Sequence, residues 1–212
     1  MDSTIVELAA RVRRSARDGA AYRYVVGIVG PPGAGKSTLA EGLRDALNTD
    51  SKIATIAPMD GFHRSNAELD AMGARRRKGE PDTFDAEAYV AALREVREGR
   101  TRVEWPTFSR DLDEPTPGGV VIGDEAIVIT EGNYLLLEEG LWRGVRELLD
   151  EAWFVDVPDE ILRPRLMERF LAGGRSTKEA EAKIDGSDLR NAALVRRTRG
   201  RADLVLDLGS TA

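Results

Sequence analysis

Eight consecutive residues, Gly30-Pro31-Pro32-Gly33-Ala34-Gly35-Lys36-Ser37, satisfy G-x-x-x-x-G-K-S in full, a spacing whose chemistry is the holding of phosphate. The glycines let the backbone curl until successive N–H groups point at phosphate oxygens, and a helix beginning near Lys36 adds its positive end. Gly30, Gly33, Ala34, Gly35 and Thr38 line such a loop, Lys36 reaches the β- and γ-phosphates, and the Ser37 hydroxyl binds magnesium. An unliganded glycine turn is the plainer alternative.

Three further groups have types suited to phosphoryl transfer. Met59-Asp60-Gly61-Phe62-His63 places a carboxylate at a strand end, where it could take a proton from an acceptor hydroxyl, beside a glycine that permits close approach. Glu131-Gly132-Asn133 offers a second carboxylate where magnesium would be met, directly or through water. Arg163, Arg165, Arg169 and Arg175 gather around the pair Gly173-Gly174, and arginines that close over a γ-phosphate neutralise its charge. Each also has a structural reading. An Asp-Gly pair makes a turn, Glu131 could cap a helix, and Arg165 and Arg169 fall i, i+4 on one solvated face. Their coincidence with a phosphate loop favours the chemical reading.

The elements that must position these groups follow from periodicity. Short apolar runs at 24–29, 53–57, 126–130, 153–157 and 204–208 predict strands, and helical patterns at 37–47, 86–98, 159–171 and 188–199 lie between them. An opening amphipathic helix carries Ile5, Leu8, Ala9 and Val12, with Thr4 and Glu7 spaced as a capping box. It is expected to pack on the edge of the sheet, although a second subunit is an open alternative, which leaves a homodimer open. Strands alternating with helices predict an α/β fold with a mostly parallel sheet covered on both faces, whose ligands sit at the carboxyl ends of the strands. Pro164 predicts a kink or a late start in its helix. Residues 62–85, containing Arg75-Arg76-Arg77-Lys78-Gly79, and residues 172–185 break the alternation. They are expected to be binding loops, with solvated surface as the alternative.

At 212 residues the chain fits one domain, 1–212, with a small mobile lid at about 164–185 and an acceptor-side insertion at about 62–85. The absence of cysteine excludes thiol catalysis and thiolate metal sites, so a catalytic metal must sit on oxygen. A net charge of −6 gives no general attraction to nucleic acid. No apolar run reaches bilayer length and no export signal opens the chain, so a cytoplasmic location without membrane contact is expected.

Together with Gly79-Glu80-Pro81-Asp82-Thr83-Phe84-Asp85, Glu131-Gly132-Asn133-Tyr134-Leu135-Leu136 and Thr198-Arg199-Gly200-Arg201-Ala202-Asp203, the motifs above resemble the phosphoribulokinase/uridine kinase family of P-loop kinases. The wording is similar to small bacterial nucleoside/nucleotide kinase, pantothenate-kinase-like and fructose-transport-system kinase proteins. The resemblance implies a P-loop NTPase three-layer sandwich and an ATP- and Mg2+-dependent transfer to a small-molecule hydroxyl. It implies Asp60 as base and magnesium ligand beside Ser37, Glu131 serving the metal, and Arg169 and Arg175 on the phosphates. It also implies an acceptor site among Asp60, His63, Phe84, Phe108, Arg110, Asn133 and Tyr134. Uridine kinases show a tyrosine, an aspartate and a basic residue where this chain has Phe108-Ser109-Arg110-Asp111. Arg110 could therefore hold an anionic or polyhydroxy acceptor, or be structural, and His63 could contact the acceptor or lie on a surface turn. A nucleotide-dependent switch or regulatory ATPase acting on a protein partner is the alternative function. The Asn-Lys-x-Asp and D-x-x-G signatures of a GTPase switch are absent where expected.

Overall fold

The computed structural model describes residues 3–18, 23–98 and 102–208. The chain begins with α1 (Ser3–Asp18), β1 (Tyr24–Val29), α2 (Lys36–Leu47), β2 (Ala54–Pro58), α3 (Asn66–Ala71) and α4 (Ala86–Glu98). A hairpin of β3 (Val103–Ser109) and β4 (Glu114–Ile122) follows, then β5 (Ile127–Gly132) and β6 (Glu151–Asp156). The chain closes with α5 (Asp159–Ala172), α6 (Thr177–Lys183), α7 (Leu189–Arg196) and β7 (Leu204–Asp207).

Five strands pair in parallel in the order β2-β5-β1-β6-β7. Their apolar residues alternate between two cores. Val25, Val29, Val128, Ala152 and Phe154 face one way, toward Tyr89, Leu93 and Val96 of α4. Val26, Ile28, Ile127, Ile129, Trp153 and Val155 face the other, toward α1 and α2. A sheet of period-two strands, apolar on both sides, must be covered twice, and the expected α/β three-layer sandwich results.

Local boundaries differ from expectation for identifiable reasons. β5 runs two residues beyond 130, because Glu131 is a buried charge whose backbone still pairs with Ile28; a charged residue reads from sequence as the end of a strand. α1 starts at Ser3, so Thr4 stands inside the helix rather than capping it. Leu8, Ala9 and Val12 join the core shared with α2 instead of covering a sheet edge. α5 begins at Asp159 despite Pro164. At its sixth position proline removes the bond its N–H would make to Glu160 without delaying the start of the helix. The helix expected over 188–199 is shorter, and a π-turn at Ile184–Asp188 joins α6 to α7.

The antiparallel β3–β4 hairpin stands apart from the main sheet. It is pressed against the Met59–Phe62 turn after β2: Trp105 Nε1 donates to the Pro58 carbonyl at 2.8 Å. A Cβ on Gly61 would lie 2.0 Å from the Pro106 carbonyl oxygen. The close approach that Gly61 permits is therefore that of β3. Among the described residues no helix is long and apolar enough to cross a membrane.

Candidate active site

The loop between β1 and α2 is shaped by two glycines in the left-handed region, Gly33 at φ 79° and Gly35 at φ 93°, where a side chain would be strained. Ala34 N–H donates to the Pro31 carbonyl at 3.1 Å. Lys36, the first residue of α2, is buried, and its Nζ donates to the Pro31 carbonyl at 3.1 Å and to Asn133 Oδ1 at 2.8 Å. Burial holds the Lys36 pKa below the usual lysine range, although the charges of Glu131 and Asp60 work the other way.

β5 lies between β1 and β2, with Glu131 opposite Ile28 on one side and Pro58 on the other. Ser37 Oγ donates to Glu131 Oε1 at 3.0 Å. Asp60 lies two residues past Pro58, in the turn after β2. Burial, then the neighbouring Asp60 charge, pushes the Glu131 pKa up against the pull of Lys36, the Ser37 hydrogen bond and Arg110. One buried carboxylate is thus short of positive charge and one buried ammonium is costly in its charged form. Ser37, Glu131 and Asp60 form a hard oxygen donor set of the kind magnesium accepts alongside phosphate oxygens. Among the described residues no group of three or more His, Asp or Glu side chains is placed to hold a metal ion by itself.

Among the residues expected to meet an acceptor, the His63 ring lies against Phe84 at 3.9 Å and Phe108 at 4.7 Å between centroids. His63 Nδ1 is 2.8 Å from the Asp60 carbonyl oxygen. A carbonyl only accepts, so Nδ1 carries the proton and neutral His63 keeps Nε2 as an acceptor. Burial lowers the His63 pKa, which favours that neutral form. Lys78 Nζ stands 5.0 Å over the Phe108 ring and donates to Asn66 Oδ1 at 2.6 Å. The exposed Arg110 sits at the hairpin tip, and its charge reaches both Lys36 and Glu131. Two further residues of the expected acceptor set have partners of their own. Asn133 holds Lys36, and the buried Tyr134 donates its hydroxyl to the Gly79 carbonyl at 2.6 Å.

The four arginines near Gly173-Gly174 divide. Arg163 is paired with Asp185, and Arg165 Nη1 lies 3.5 Å from the Ala34 carbonyl on the phosphate loop. Arg169 and Arg175 lie over the Phe170 ring, each 5.2 Å from its centroid. Burial lowers the Arg169 pKa, while the charges of Asp188 and Asp60 favour its charged form. Asp188 escapes a reading of the sequence because an aspartate before a helical pattern reads as an N-cap. Here it is helical, at φ −67° and ψ −40°, and caps nothing.

Residues 25–212 match the profile of the phosphoribulokinase/uridine kinase family. The Escherichia coli K12 protein YggC is 36% identical over 188 residues, covering 88% of this chain and 78% of its own. A pantothenate kinase of Leifsonia xyli subsp. xyli is 31% identical over 209 residues, covering 86% of this chain and 65% of that longer relative. Among solved structures, a candidate fructose transport system kinase from Silicibacter sp. TM1040 superposes with a TM-score of 0.88 at 34% identity. The match covers 97% of this chain and 100% of that one.

Proposed function

Because the chain belongs to the phosphoribulokinase/uridine kinase family, we propose that it is an ATP- and magnesium-dependent kinase. In this reading it moves the γ-phosphoryl group to a hydroxyl of a small metabolite, a nucleoside, a pantothenate-like compound or a sugar. One observation carries the reading: Lys36, Ser37, Glu131 and Asp60 meet at the carboxyl ends of three adjacent strands with unbalanced charge. Magnesium-ATP brings both missing charges, phosphate for the ammonium and a cation for the carboxylates.

In the proposed reaction Lys36 exchanges Asn133 for the β- and γ-phosphates. Ser37, Glu131 and Asp60 would hold magnesium, which when bound draws charge from the phosphate oxygens. Arg169 and Arg175 neutralise the moving group. The acceptor oxygen bonds to the γ-phosphorus as the bond to the ADP oxygen breaks, and Asp60 takes the hydroxyl proton. The wall of His63, Phe84 and Phe108 shapes the acceptor site, with Arg110 at its rim. ADP release should be slow with magnesium-ATP alone and rise with one member of a panel of nucleosides, pantothenate, sugars and sugar phosphates. Hydrolysis indifferent to every acceptor but altered by a protein partner would replace the kinase with a regulatory ATPase.

A further inference from the structure

We propose that Asp188 positions the guanidinium of Arg169 for the transferring phosphoryl group, an inference that rests on the kinase reading. Asp188 is 5% exposed, and its Oδ2 has no hydrogen-bond partner among the described residues. A buried carboxylate oxygen left in this way is rare in a native fold and calls for an occupant. The nearest cation does not supply one. Lys183 Nζ lies 3.5 Å from the other oxygen, Oδ1, and already donates to the Lys78 carbonyl at 2.9 Å and to Ser187 Oγ at 2.6 Å. Two of its three protons are committed, and its contact with Asp188 is made through Oδ1, which leaves Oδ2 without a partner.

The remaining cations around Asp188 are Arg169 and Arg175. Arg175 is exposed beyond the end of α5, whereas Arg169 is half-buried on the helix itself. α5 packs on the π-turn that carries Asp188. Among the described residues Arg169 forms no ion pair, so its donors are uncommitted. A guanidinium presents five donors in a planar fork and can hold a carboxylate along one edge and a phosphoryl group along another. Asp188 would fix the plane of that fork while the second edge stays open. The π-turn fits this role. Inserting an extra residue between two helices turns a side chain out of the regular helical rows, and such turns gather at functional sites. Arg169 is the group that touches the phosphoryl; Asp188 acts only through it.

The experiment is a double-mutant cycle on turnover with the acceptor found active in the panel, using Asp188→Asn, Arg169→Met and the two together. Asp188→Asn is expected to lower kcat about 10- to 100-fold, the scale set by a misplaced catalytic group. The acceptor KM should change little. The double variant should be no slower than Arg169→Met alone, and Asp188→Glu should recover part of the loss. Asp188→Ser runs through the same cycle in case the asparagine variant does not fold. Multiplying losses in the double variant, or an effect of Asp188→Asn confined to the acceptor KM, would overturn the inference while leaving the kinase standing. A wild-type chain with no acceptor-dependent turnover would overturn both.

Discussion

Asp60 is the base of the proposed reaction: it stands in the turn after β2 with no side-chain hydrogen bond among the described residues, beside His63. Asp60→Asn keeps the size and removes the lone pair that takes the proton. Turnover is expected to fall by about 10²- to 10⁴-fold while magnesium-ATP still protects the chain in a thermal melt. Lys36→Ala is expected to lose both, because in the proposed reaction its ammonium serves binding and transfer alike. Normal kinetics in either variant would remove that residue from the mechanism. These residues were legible because each holds a fixed offset within a motif. Asn133 was legible in position but not in use, since nothing in a sequence shows that its amide oxygen meets Lys36. Asp188 was illegible for a physical reason: only packing against α5 turns a helix-start aspartate into a buried one.

The central strands and helices could be read because their periods are clean and each strand is buried on both faces. The hairpin was hidden by its composition. β4 reads Glu-Pro-Thr-Pro-Gly-Gly-Val-Val-Ile, and two prolines with two glycines argue against a strand unless it lies on an edge. As one half of a two-stranded ribbon it has that freedom. The hairpin brings Phe108 to His63, so in the proposed kinase its seat on Gly61 sets the acceptor wall, with Arg110 at the rim. Gly61→Ala must push Pro106 away from the turn. A cost of about 2 kcal/mol for such overpacking corresponds to a melting point lower by about 4–8 °C in a domain of this size. The catalytic effect should fall on kcat/KM for the acceptor, by about tenfold from misplacement of the wall. Magnesium-ATP protection should be unchanged. An equal loss of nucleotide binding would show that the hairpin also supports the donor half.

Across the whole molecule, two buried carboxylates, Glu151 and Asp188, carry opposite stability signs. Glu151 opens β6, far from the carboxyl ends of the strands. It accepts from Trp153 Nε1 at 2.8 Å, the Tyr24 hydroxyl at 2.7 Å and Arg11 Nε at 2.6 Å, which ties α1 to two strands. Burial alone would raise its pKa, but these hydrogen bonds outweigh burial and lower it. The unfolded chain therefore binds the extra proton between the lowered value and the ordinary one. Stability from Glu151 is present above that window and is lost as pH falls through the folded-state value. For Asp188, burial wins over the cations and the pKa is raised. The folded chain then holds the extra proton, and stability falls as pH rises from the ordinary aspartate value through the raised one. Glu151→Gln should cost about 2 kcal/mol at neutral pH, since the buried Trp153 and the half-buried Tyr24 and Arg11 lose a charged acceptor. That lowers the melting point by about 4–8 °C, with kcat unchanged well below the melt. Asp188→Asn should melt higher than the wild type at neutral pH, with the advantage shrinking as pH falls toward about 4, while kcat drops. Thermal melts and turnover on the same preparations over this range check both signs. A neutral-pH loss of stability in Asp188→Asn would mean that its carboxylate serves the fold, as Glu151 does, rather than the site.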